Sequence, residues 1–91
     1  MIDREREILL IAQEECAEVI QAVSKCFRFG LDNIKPGKPL TNRQHLAEEL
    51  GDLQAMIDLC IIHKLVNFEE VITASKNKIE KLKKWSTIFD E

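Results

Sequence analysis

From the cap at Thr41 to about Lys64 the chain carries apolar side chains on nearly every side of a helix. At about 100° per residue, Leu46, Leu50, Leu53, Ile57, Cys60 and Ile61 form one broad stripe. Met56, Leu59 and His63 adjoin it on the side of Asp52, and Ala55 and Ile62 extend the apolar surface further. A helix apolar on most sides must be buried on most sides, which three helices of one short chain can hardly achieve. The pattern predicts an all-α fold: a helical bundle of about three main helices per chain, completed by homo-oligomerisation through this second helix, as a homodimer or homotetramer. Length points the same way. Residues 1–91 make a single domain, and a domain of that size buries only about 60–65% of the surface its unfolded chain exposes.

The other helices are read from caps and periodicity. Ile8, Ala12, Cys16, Val19 and Val23 recur at three- and four-residue steps, predicting a helix from about Asp3, as N-cap, to about Phe27, with Gly30 as its stop. Thr41-Asn42-Arg43-Gln44 has the form of a capping box for the second helix. Asn67 and Glu70 start a third helix running to about Trp85, with Val71, Ser75, Leu82, Trp85 and Phe89 as its inner stripe. Between the first two helices, residues 31–40 form a connection long enough to be functional, with Lys35 and Lys38 in it and Arg28 and Arg43 at its ends as a phosphate-facing rim or as solvated charges.

Acids sit where apolar residues belong. Glu15 falls within the stripe of the first helix and Glu18 on its edge, whereas Glu7, Glu14 and Gln21 share the wetter side. Glu49 points inward from the second helix, with Asp52 flanking it. Each pair has three-residue spacing and projects from one side of its helix. Four carboxylates converging between packed helices resist ionisation unless cations neutralise them, and an all-oxygen ligand set suits Mg²⁺ or Mn²⁺. A di-iron centre fits poorly, because neither His45 nor His63 has a glutamate three residues before it. On the third helix Lys78 falls inside the stripe, with Lys81 and Asn77 towards its edge. Either Lys78 opposes the carboxylates or its stem carries the ammonium out to water.

Several classes are excluded or disfavoured. The net charge of −3 argues against a chain that coats nucleic acid. Three cysteines without a C-x-x-C pair encourage neither a disulfide framework nor a thiolate zinc site. The chain starts on a charged helix and has no apolar run approaching ~20 residues, so no membrane span is expected and a cytoplasmic protein is. Phe27, Phe29 and Trp85 read first as core and second as base-stacking groups.

Glu14-Glu15-x-x-Glu18, then Glu49-x-x-Asp52, then a lysine-rich third helix resembles the MazG-like branch of the all-α nucleoside triphosphate pyrophosphohydrolase superfamily over most of the chain. Phe27-Arg28-Phe29-Gly30 and Lys78-Ile79-Glu80-Lys81-Leu82 are similar to small, phage-type members, while the interval between the acidic motifs is long for the family. The resemblance implies hydrolysis of a nucleoside triphosphate, often a deoxynucleotide, between its α and β phosphates. It implies Mg²⁺ held by Glu15, Glu18, Glu49 and Asp52, with Glu14 or Glu48 acting on the water. Lys78, Lys81, Asn77, Arg28 and Lys38 are the expected substrate contacts. A relative acting on phosphoribosyl-ATP or dUTP is the alternative within enzymes; outside them it is a non-catalytic helical dimer that binds a partner or nucleotide.

Overall fold

All three helices begin where a side chain accepts a hydrogen bond from a backbone amide at the helix start. The computed structural model describes residues 1–90: α1 (Asp3–Phe29), α2 (Asn42–Ile62) and α3 (Phe68–Trp85). No strand forms among the described residues, only an isolated antiparallel bridge between Ile34 and Thr41. Helix α2 has the expected box: the Thr41 hydroxyl accepts from the Gln44 amide at 3.1 Å, and the Gln44 side chain accepts from the Thr41 amide at 2.9 Å. At α3, Asn67 accepts from the Glu70 amide at 3.0 Å. Helix α1 differs from expectation. Its N-cap is Ile2, not Asp3; the Ile2 amide donates to Glu5 at 2.9 Å, so Asp3 is already inside the first turn, where its charge favours the helix dipole. At its other end α1 runs two residues past Phe27, until Gly30 at φ 91 ends it. Lys64 ends the turn after α2 at φ 60, a conformation usually left to glycine.

Helices α1 and α2 form an antiparallel hairpin. Near the connection, the Asn42 side chain donates to the Gly30 carbonyl at 2.9 Å, and half-way along, Glu15 meets Glu49 and Asp52. The seam of α1 follows a seven-residue repeat, with Ile8, Glu15 and Ala22 alternating with Ala12, Val19 and Cys26, all buried or half-buried. Across it run Asn42, Glu49, Met56 and His63, again seven apart. Of the stripe predicted on α2, Leu46, Leu53, Ile57, Cys60 and Ile61 are half-buried, whereas Leu50 is 48% exposed and Met56, expected beside the stripe, is buried. A capped polar residue, Asn42, and a small one, Ala22, let the helices approach at one end. Asn42 is buried, and a buried side-chain amide left unpaired costs about 1–3 kcal/mol, so its bond to the Gly30 carbonyl fixes where the loop leaves α1.

Helix α3 makes only marginal contact with this hairpin. The inner stripe expected on it is consequently uncovered within the chain: Val71 and Leu82 are half-buried, but Trp85 is 82% exposed and Ser75, Lys78 and Phe89 are exposed. The molecule is flat, 42 × 37 × 14 Å, and α3 does not stack on the hairpin, so no second layer covers it. Ile8, Ala22 and Met56 alone are buried among the apolar side chains described, while Leu10, Ile20, Phe27, Ile62 and Ile88 face outward. Among the described residues no helix is long and apolar enough to cross a membrane.

Candidate metal centre and anion pocket

The hairpin register places three carboxylates on one point of the seam. Glu15 from α1 and Glu49 and Asp52 from α2 each offer an oxygen, and the three lie within 4.8 Å of one another. Glu15 and Glu49 are half-buried, Asp52 exposed. Partial burial, then the charges of Asp52, Glu49, Glu18 and Glu14, pushes the Glu15 carboxyl above its ordinary value of 4.5. Glu18 is exposed and stands outside the three-residue group, although its charge reaches Glu15. Glu14 and Glu48 are exposed, off the seam.

The donor set fits a hard divalent ion. It is all oxygen, it spans two helices, and it leaves its acids short of positive partners: among the described residues no lysine or arginine pairs with any of the three. Among the described residues the side chain bonded to this group is His45, missed by the sequence reading, whose Nε2 lies 3.1 Å from Glu49 Oε1. With the carboxylate ionised, the ring nitrogen is the donor, holding one Glu49 oxygen and leaving the other directed elsewhere. The four-residue spacing of His45 and Glu49 was the available signal.

His45 also belongs to a cavity of about 310 Å³ between the loop and the hairpin, walled by Lys25 of α1, Lys35, Lys38 and Leu40 of the loop, and Asn42 of α2. Loop conformation explains the two neighbouring lysines. Lys38 donates its amide to the Lys35 carbonyl at 3.0 Å, closing a turn with Pro36 second and Gly37 third at φ 80. That is the geometry proline and glycine favour in those places. The base of the loop is tied down as well, by the Asn42 amide to Asn33, the Arg43 amide to Leu31, and the Arg43 guanidinium to Asp32 at 3.1 Å. Asp32 raises the Arg43 pKa further and keeps that side chain engaged.

The other expected contacts lie elsewhere. Arg28 stacks on Phe29, 4.8 Å from the ring centre, and does not wall the cavity. Lys78 and Lys81 are exposed on α3, and Asn77 borders an open depression on that helix with Glu69, Glu70 and Thr73. The aromatic residues Phe27, Phe29 and Trp85 are exposed rather than core.

A family model described as the MazG nucleotide pyrophosphohydrolase domain matches residues 4–87. No curated protein and no solved structure matches.

Ionised Glu15 opposes folding of the metal-free chain, because its folded pKa lies above the unfolded value. That cost is full at neutral pH and disappears as pH falls towards 4.5. Glu15→Gln should therefore raise the thermal midpoint of the metal-free protein at pH 7, and the difference should shrink on acidification. A variant midpoint at or below that of the wild type at pH 7 contradicts the crowding of these acids.

Proposed function

The chain belongs to the MazG nucleotide pyrophosphohydrolase domain family, and on that premise we propose that it is a Mg²⁺-dependent hydrolase of nucleoside triphosphates, deoxynucleotides among them by family likeness. The family supplies the reaction type. Support for the site comes from one observation above the others: Glu15, Glu49 and Asp52, drawn from two helices, within 4.8 Å of one another and without cationic partners.

In this reading residues 1–91 act as one catalytic domain. Glu15, Glu49 and Asp52 hold Mg²⁺, or Mn²⁺, and exposed Glu18 turns in to join them when substrate is bound. The ion supplies charge neutralisation at the phosphates and a lower pKa for a bound water. One water is added across the α–β anhydride: the bond between the α-phosphorus and the bridging oxygen breaks, and the products are the monophosphate, pyrophosphate and a proton. Glu14 or Glu48 accepts a hydrogen bond from the attacking water. His45 holds one oxygen of Glu49 and so fixes the direction of the other. Lys38 meets the phosphates from the loop, with Arg28 at the loop's start.

Lys78, Lys81 and Asn77 have no place at the acids of their own chain, since α3 stands off from the hairpin. Their proposed role as substrate contacts therefore requires a second copy, and so does the uncovered apolar face. We assign the protein as a homodimer or homotetramer in which the hairpin layers of two copies cover one another. A cytoplasmic address, where triphosphates and magnesium meet, completes the reading.

Pyrophosphate release across a panel of canonical and modified NTPs and dNTPs, with and without Mg²⁺, tests the activity. At least one substrate should turn over only with the ion, and Glu49→Gln should lower kcat about a hundredfold or more while remaining folded. Full activity in folded Glu49→Gln, or no turnover of any triphosphate, contradicts the assignment. Sedimentation at micromolar concentration should show an oligomer; a stable monomer contradicts the shared site.

A further inference from the structure

Three lysines, Lys25, Lys35 and Lys38, line the cavity beside the acids, and none has a carboxylate within ion-pair distance among the described residues. Lys25 is the least ordinary of them. It is half-buried on α1, close to the seam, where a lysine without a partner is a cost rather than a gain. Lys35 and Lys38 are brought together by the Pro36-Gly37 turn, so the loop itself is folded to present two like charges on one side. Like charges held close in a concave site favour an anion carrying more than one negative charge.

We propose that this pocket seats the terminal diphosphate of the substrate, so that Lys25, Lys35 and Lys38 hold the β and γ phosphates, and then pyrophosphate, while the anhydride to be cut lies over Glu15, Glu49 and Asp52. This rests on the hydrolase reading above and adds which end of the substrate goes where. The spacing supports it. His45 walls the pocket and bonds Glu49, and it precedes Glu49 by four residues, so the basic pocket begins about 6 Å along α2 from the acids, roughly one helical turn.

The chemistry of the walls selects phosphate over base. Pro39 and Leu40 are the cavity's apolar wall residues, no phenylalanine or tryptophan lines it, and the one aromatic ring there, His45, is engaged by Glu49. Nor do the α2 amides carry the site. Those of Asn42, Arg43 and Gln44 are already given to Asn33, Leu31 and Thr41, which leaves the lysines as the donors that face the cavity. The α2 N-terminus adds its dipole, of the same sign, behind them.

Calorimetric titration of pyrophosphate in the presence of Mg²⁺ tests the assignment on the whole chain, without needing turnover. Lys25→Gln and Lys35→Gln should each weaken pyrophosphate binding about tenfold, as expected for one charge-assisted contact. Binding of a nucleoside monophosphate should stay unchanged, and KM for the best triphosphate should rise with little change in kcat. Should Lys25→Gln fail to fold, Lys35→Gln, in an exposed turn, decides alone. Pyrophosphate bound equally well by the folded variants, no pyrophosphate binding by the wild type, or an equal loss of monophosphate binding each overturns the proposal. If the wild type binds pyrophosphate through these lysines yet hydrolyses no triphosphate, the hydrolase reading fails and the pocket assignment stands.

Discussion

Carboxylates facing one another across a helix seam set the terms for the rest of the molecule. Seam positions normally gain stability by burying apolar surface, and this hairpin gives two of its central ones, Glu15 and Glu49, to groups that repel. The strain shows in the raised pKa of Glu15, caused first by loss of solvent and then by its acidic neighbours. Such an arrangement costs stability at neutral pH, and a cation entering it would relieve that cost.

Close by, the same hairpin has the opposite imbalance. Lys25 and the turn lysines face a cavity with no acid of their own, and His45 stands on the boundary, touching Glu49 on one side and the cavity on the other. Acids that need a cation next to ammoniums that need an anion describe a site for a metal–polyphosphate complex better than either half does alone. The hydrogen bonds that place the two halves are ordinary ones. Asn42 to Gly30 fixes the loop's departure, and the Lys35–Lys38 turn aims its charges.

Much of this was legible in the sequence, for identifiable reasons. Helix starts at Thr41 and Asn67 were readable because capping is local chemistry, and the inward placement of Glu15 and Glu49 because helical periodicity is fixed by the backbone. The centre of the covered face of α2 was less so. A helix apolar on most sides gives no unique direction, so the expected stripe took in Leu50, which is exposed, and set Met56, which is buried, beside it. Lys25 escaped notice because its significance depends on a loop folding back over it, a non-local event. The inner stripe of α3 was correctly amphipathic in pattern, yet nothing in one chain covers it, and periodicity says which face is apolar, never whose surface meets it.

That uncovered face and the acid cluster share one feature: among the described residues neither has a partner within the chain, apolar for the one or lysine or arginine for the other. The proposed metal is the partner whose effect is simplest to isolate. Thermal unfolding of the wild-type protein against Mg²⁺ concentration, with no nucleotide present, measures it directly. The account predicts a midpoint that climbs with Mg²⁺ in the wild type and stays level in Glu15→Gln. A wild-type midpoint indifferent to Mg²⁺ and to Mn²⁺ would contradict it.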